Sequence, residues 1–451
     1  MSSFDLVIRN GTIVRPDEVS RLNIGVKDGQ IASLGPELKD SAEQVVDATG
    51  LHVFPGLIDS HVHFNDPGRA DWEGFFTGTR ALAAGGGTAF IDMPLNAHPP
   101  TIDADAFDQK LAAARGRALV DFAFWGGLVP DNVDRLEELS ERGVVGFKAF
   151  MANSGIDDFP CVDARTLRAG MKRAAELKKI VAVHAESETL TRTRTAELTS
   201  RNRISISDYL SSRPVEAELE AIRQAIDLAG ETGCSLHVVH VSTGAGVALV
   251  SAAREQGVDV TCETCPHYLV LTEEDVLSLG AIAKCAPPLR SRSIQDALWR
   301  CLEEGKINPI GSDHSPAPPR MKTDANFFKV WGGISGVQHT LPLLLTEGCA
   351  RRNLNLSTLA RVTSFNVAER FSFPPVKGRI EIGSDADFAL VDLNQEFEVV
   401  KEELFDRHRQ SPYAGRRLTG KVVQTILRGQ TVCKDGTIAS EPIGRLIKPE
   451  A

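Results

Sequence analysis

Between residues 55 and 312 the chain alternates eight times between a short apolar run and a stretch with helical patterning. The runs cover 55–63, 86–93, 119–128, 144–151, 180–185, 235–242, 258–263 and 308–312. They are strand-sized and nearly continuous in apolar residues, as strands buried on both faces are. Amphipathic segments such as 163–178 and 215–232 lie between them, and Ser207-Asp208 and Pro214-Val215-Glu216 read as helix starts. This spacing predicts an α/β chain whose parallel strands close into a (β/α)8 TIM barrel. An open doubly wound sheet is the alternative. Against it, Gly85-Gly86-Gly87 and Gly332-Gly333 do not form a dinucleotide-binding fingerprint, and no phosphate-cradling Walker loop is present.

The flanks read differently. A chain of 451 residues is too long for one ordinary core. Residues 2–54 are strand-rich: Asn10-Gly11 is a turn signal, and Asp28-Gly29 joins Ile24-Gly25-Val26-Lys27 to Gln30-Ile31-Ala32-Ser33-Leu34 as a hairpin. Residues 372–451 are also strand-rich, with Ala386–Asp392, Val422–Arg428 and Thr431–Cys433 as the main runs. Neither flank holds a good core alone. The expectation is one small β-sandwich assembled from 1–54 and 372–451, with 55–371 as the catalytic barrel.

Composition removes several classes of function. No apolar run approaches the length of a membrane span, and no secretory or peroxisomal address is read at the ends. The formal net charge is −10, without a basic block, so nucleic acid is a poor partner. Eight cysteines lack a disulfide-framework spacing, and a cytoplasmic location is expected. Cys262-Glu263-Thr264-Cys265 has no second Cys-x-x-Cys and reads as two half-buried strand residues rather than a zinc or redox motif.

Polar groups appear where the predicted strands stop. The first run ends in His61-Val62-His63, whose alternate side chains share a face. The fourth carries Lys148 in an apolar setting, the fifth ends at His184, the sixth offers His237 and His240, and the eighth ends in Asp313-His314. Each alone has a structural reading: a core histidine, a snorkelling lysine or a helix-capping aspartate. Together they fall on the C-terminal face of a barrel, where barrel enzymes do their chemistry, and they suit divalent metal. His237 and His240 are three apart and face opposite sides of an ideal strand, so His240 is assigned to the site and His237 is read as packing under a helix. His314 should turn away from Asp313. His267 either touches substrate or bonds a loop. His52, His98, His339 and His408 read as structural or surface residues.

With these stretches the chain resembles the cyclic amidohydrolases, a branch of the metal-dependent amidohydrolase superfamily, and within them it is most similar to the allantoinases. The resemblance covers almost the whole chain. It is carried by His61-Val62-His63 with Pro67-Gly68-Arg69 and Asp71-Trp72-Glu73-Gly74, by Asp92-Met93-Pro94-Leu95-Asn96 and by Gly146-Phe147-Lys148. Glu263-Thr264-Cys265-Pro266-His267-Tyr268, Ser312-Asp313-His314-Ser315-Pro316 and Trp331-Gly332-Gly333-Ile334 complete it. It implies two divalent ions (Zn, Mn, Co or Fe) bridged by a carboxylated Lys148. His61, His63 and Asp313 would hold one ion, and His184 and His240 the other. The implied reaction is hydrolysis of the ring amide of allantoin to allantoate by a metal-bridging hydroxide, with Asp313 as the catalytic proton shuttle. A small-molecule substrate and a homotetramer follow from the same resemblance. Other cyclic amides, as in hydantoinases or dihydropyrimidinases, are the second reading, and a non-catalytic scaffold the third.

Two positions depart from related subfamilies. Dihydroorotases place a substrate-binding arginine where this chain has Asn65, and hydantoinases place an oxyanion-binding tyrosine where it has Asn153. Residues 153–158 read as a polar, mobile loop at the mouth. Substrate contacts are expected from Asn96, which is otherwise a turn residue, from Asn153, from the backbone of Ala286 and from Ser315.

Overall fold

The computed structural model describes residues 4–38 and 41–450. Three parallel strands, Leu57–Val62, Gly87–Asp92 and Asp121–Phe124, form one arc. Five more, Gly126–Gly127, Gly146–Phe150, Ile180–His184, Leu236–Val238 and Val260–Cys262, form the other. Only Trp125 separates the arcs where Asp121–Phe124 passes into Gly126–Gly127. At the opposite seam no strand forms at 308–312. Parallel bridges Thr264–Ile310 and Val62–His314 occupy the eighth position instead. Gly311 packs tightly against the site at this seam: a Cβ there would meet Ser60 Oγ at 2.8 Å, His61 Cβ at 2.9 Å and Glu263 Oε2 at 3.0 Å.

Side chains alternate around this ring as the pleat requires. On Gly87–Asp92, Ala89 and Ile91 join an inner cluster with Ile58, Trp125 and Ala182, while Phe90 joins the outer one beneath the helices. The helices follow the amphipathic stretches: Ala164–Glu176 is capped by Asp163, and Val215–Thr232 starts after Pro214. The helix expected to begin at Ser207-Asp208 starts two residues earlier, because Ser205 and Asp208 form the capping box. Among the described residues no helix is long and apolar enough to cross a membrane.

Strands from both chain ends share one nine-stranded sheet. His52–Pro55 sits at its centre, parallel to Phe4–Val14 and antiparallel to Phe388–Glu398. Leu6, Ile8, Ile24, Val53, Phe388, Leu390 and Ile426 meet in one buried cluster, so the sheet wraps around a core that neither end supplies alone. Asp28-Gly29 is the predicted hairpin turn, with φ of 53° and 79° as a type I′ turn requires. Asn10-Gly11 is not a turn. Phe4–Val14 runs through it with a bulge between Ile8 and Gly11, since pairing with Val19–Lys27 continues on both sides.

Sandwich and barrel meet at a buried ionic cluster. Lys377 Nζ lies 2.7 Å from Asp121 Oδ2, 2.9 Å from Asp385 Oδ2 and 2.7 Å from Asp387 Oδ2, and Arg428 also binds Asp121. The three carboxylates could converge on a metal, but the ammonium already occupies that place.

Candidate metal centre

The first barrel strand would carry its residues alternately in and out, yet Ile58 faces the inner cluster and Val62 the outer. A register shift between Asp59 and Val62 inserts one residue and re-aims the end of the strand. His61 and His63 then share one side, their Nε2 atoms 3.2 and 3.3 Å from Asp313 Oδ1. Asp313 reaches them from a left-handed backbone, φ 46°. His240 is also left-handed, φ 40°. Two non-glycine residues in that region within one site mark backbone strain held in place by its surroundings.

The turn at His240 overrides the strand parity used to place His237. Both histidines lie on the inner side. His237 sits one layer below the centre, with Nδ1 2.8 Å from Thr261 Oγ1, Nε2 3.4 Å from Glu263 Oε2 and its ring edge-on to Phe371. It therefore packs inside the barrel and not under a helix. His240 Nε2 comes within 3.1 Å of His184 Nδ1.

Two buried carboxylates determine which ring nitrogens are open. Glu263 Oε1 accepts from His61 Nδ1 at 2.5 Å, and its Oε2 accepts from Ser60 Oγ at 2.6 Å. Glu186 Oε2 accepts from His184 Nε2 at 2.9 Å and is paired with Arg213. An ionised carboxylate only accepts, so the proton sits on the nitrogen that faces it. The lone pairs of His61 Nε2 and His184 Nδ1 are left pointing into the site. Burial would raise the Glu186 carboxyl, but Arg213 and His184 outweigh it and hold it at about 2. Glu263 is likewise held low, because His61 and His237 outweigh its burial.

A lone pair of His61 faces a carboxylate oxygen of Asp313, two polar atoms that repel without a positive charge between them. Lys148 Nζ is buried, has no hydrogen-bond partner, and is pushed down to about 8 by its burial. Burial also lowers His63, His184 and His240, which favours the neutral imidazoles that bind metal. This donor set fits divalent metal.

All six candidate ligands line one cavity of about 520 Å³. Residues 52–432 match the amidohydrolase family. The chain belongs to that family. It is 56% identical over 451 residues to an allantoinase of Rubrobacter xylanophilus, covering 100% of this chain and 99% of the relative. It is 49% identical over 449 residues to an allantoinase of Deinococcus radiodurans, with 100% of each chain covered. Among solved structures, L-hydantoinase (dihydropyrimidinase) from Arthrobacter aurescens superposes with a TM-score of 0.96 at 35% identity, covering 99% of this chain and 100% of that one. Dihydropyrimidinase from Brevibacillus agri gives 0.91 at 31%, covering 98% of each.

The amidohydrolase cavity also takes in Asn96, Asn153, Ala286 and Ser315. Asn153 is less free than a loop residue would be. Its N–H donates to Glu188 Oε2 and its Oδ1 accepts from Gly155 N, both at 2.8 Å, which leaves its Nδ2 for a ligand. The rest of 153–158 is pinned too: Ser154 Oγ donates to Phe159 O at 2.6 Å, and Asp158 bonds Arg69 and His98. The segment forms a hydrogen-bonded rim of the cavity. Across the cavity, residues 327–333 fold around two inward lysines. Lys284 donates to the carbonyls of Phe327, Phe328 and Val330, and Lys322 to those of Ala281, Trp331 and Gly333.

Several residues singled out in the sequence lie outside the cavity lining. His314 Nδ1 accepts from Gly336 N at 3.1 Å. His267 is buried with neither ring nitrogen bonded. Asn65 Nδ2 contacts Pro316 O at 3.4 Å. Cys262 and Cys265 are fully buried, and all eight cysteines are free. Sequence reasoning missed Glu186, whose carboxylate orients His184. The signal was present in His184-Ala185-Glu186, where a carboxylate stands two residues beyond a histidine.

Proposed function

We propose that this amidohydrolase opens the ring amide of allantoin to give allantoate. One observation carries the reading: four buried imidazoles, the half-buried carboxylate of Asp313 and an unpartnered buried lysine converge on a single cavity. The full-length allantoinase relatives supply the substrate.

His61, His63 and Asp313 would hold one divalent ion and His184 and His240 a second, with Lys148, carboxylated by CO₂, between them. Zn, Mn, Co and Fe all suit this mixed histidine and carboxylate set. When bound, such a pair supplies Lewis acidity and lowers the pKa of water toward neutrality. The protein's own part is positional and protic. Asp313 takes the proton of the attacking water and delivers it to the ring nitrogen as the C–N bond breaks. The Nδ2 of Asn153, the side chains of Asn96 and Ser315 and the backbone of Ala286 orient the ring and its ureido arm. The pinned loops 153–158 and 327–333 wall the cavity and keep its shape before substrate arrives.

The test is ring opening of racemic allantoin by the purified protein with Mn, Zn or Co and bicarbonate, beside hydantoin, dihydrouracil and dihydroorotate. Preference for allantoin is expected. Turnover of hydantoin or dihydrouracil instead would favour the broader hydrolase that the solved structural relatives bring to mind. Silence on every substrate in a protein holding two ions would reject the substrate, and silence with no ion bound would reject the chemistry.

The proposal extends to a cytoplasmic location, supported by the eight free cysteines, and to a homotetramer. Cell fractionation and analytical sedimentation test these two points.

A further inference from the structure

We infer that Glu186 and Arg213 form a positioning pair that fixes which nitrogen of His184 is offered to metal, and so sets the affinity of the second ion. The inference rests on the metal-dependent reading above.

The plane of the His184 ring is set by packing. Its centroid stacks 4.6 Å from that of Phe150, with only 10° between the planes, and it meets His240 edge-on at 4.8 Å. Packing alone does not choose between the two flips of an imidazole, nor does it place the proton. The hydrogen bond from Nε2 to Glu186 Oε2 does both, and it leaves Nδ1 bare toward His240. In metal sites the second nitrogen of a ligating histidine commonly donates in this way, which fixes tautomer and orientation.

Glu186 is fully buried, and a carboxylate there is costly without a counter-charge. Arg213 provides that charge at the same oxygen. Its own backbone is fastened, since Arg290 Nη1 donates to Arg213 O at 2.6 Å. The other ligand-orienting carboxylate, Glu263, is held by Ser60, His61 and His237, with no arginine paired to it among the described residues. Glu186 thus depends chiefly on Arg213, a direct partner from a separate stretch of chain, with Arg290 adding to the attraction. Arg213 also lines the substrate cavity, so the pair joins the cavity wall to one ion's ligand and leaves His61, His63 and Asp313 untouched.

The consequence is asymmetric. Loss of the pair should loosen the second ion and spare the first. The full-length protein is compared with Glu186→Gln and with the double variant Glu186→Leu/Arg213→Met, which removes both charges and orphans neither. Zn or Mn per chain is measured by elemental analysis after dialysis against graded chelator. The His184 tautomer is read by ¹⁵N NMR in the metal-free protein. The double variant is expected to keep one ion and bind the second about 10- to 100-fold more weakly, with mixed His184 tautomers. Glu186→Gln keeps an acceptor in place, so it should retain the Nε2–H tautomer and lose less affinity. Wild-type affinity for two ions in the double variant would overturn the inference. So would equal losses in both variants, because charge rather than proton placement would then be responsible. A wild-type protein that holds no ion would sink the metal-dependent reading along with this one.

Discussion

Asp313 Oδ1 stands 3.2 Å from His61 Nε2, on the side of the ring away from Glu263. With Nδ1 as the donor, this contact sets a lone pair against a carboxylate and is unfavourable until a cation lies between. Asp313→Asn should therefore leave the metal-free protein at least as stable as the metal-free wild type, since the amide can donate to that lone pair. Turnover should fall about 10²- to 10⁴-fold, the range for loss of a positioned proton carrier. Calorimetry of the chelator-treated proteins and initial rates of the metal-loaded ones check the two halves. A metal-free variant clearly less stable than wild type would reject the tautomer assigned to His61.

Lys148→Ala removes the proposed bridge. Loss of bound metal and of activity is expected, with partial recovery of both on adding short carboxylic acids. Elemental analysis and rates are the readouts. Full activity in a metal-replete variant would show that no bridge is needed.

The rim loop 327–333 should respond to Lys322 separately from the chemistry. Lys322→Met strips the carbonyls of Trp331 and Gly333 of their donor and leaves Ala281 O only its bond from Lys284 N. Faster amide exchange across 327–333 is expected, with a rise in KM larger than any fall in kcat. Unchanged exchange would mean that Lys284 alone secures the loop.

The cluster joining sandwich and barrel is a stability site. Lys377→Met leaves Asp121, Asp385 and Asp387 facing one another around an apolar side chain. Removing one partner of a buried ionic group costs about 3–5 kcal/mol, read as a lower urea midpoint. An unchanged midpoint would show that Arg428 suffices.

Acid sensitivity follows from His339, a buried imidazole pushed down to about 4 by desolvation. The unfolded chain binds that proton near pH 6.5, so between about 6.5 and 4 the unfolded state holds more protons and stability falls as pH falls. The loss is on the order of 3 kcal/mol over that window. Metal-free His339→Gln should show a flatter dependence of the urea midpoint on pH. A slope equal to wild type would place the acid sensitivity elsewhere.

The reach of the sequence ends where backbone conformation departs from ideal strands. Apolar runs located seven of the eight ring positions, because strands buried on both faces leave an unmistakable pattern. The eighth contributes only isolated bridges, in a stretch where Gly311 packs closely against Ser60, His61 and Glu263. His237 was misplaced for a related reason: a left-handed turn at His240 breaks the alternation that parity assumes. Asn10-Gly11 carries the composition of a turn, yet the partner strand continues past it and makes it a bulge. The carboxylates that orient His61 and His184 were hidden because Glu263 lies 202 residues from its histidine and Glu186 sits only two from its own. Neither separation resembles a ligand spacing.

The central place of His52–Pro55, hydrogen-bonded to Phe4–Val14 on one side and Phe388–Glu398 on the other, has a consequence during synthesis. Translation delivers the second neighbour long after the first. At roughly 5–20 residues per second the wait is tens of seconds, in which the strand presents an open edge ready to pair with another chain. The barrel segments emerge in that interval. The order of manufacture therefore leaves an exposed liability in the amino-terminal sheet of the nascent protein, and Phe388–Glu398, made after the whole barrel, is the strand that shields it.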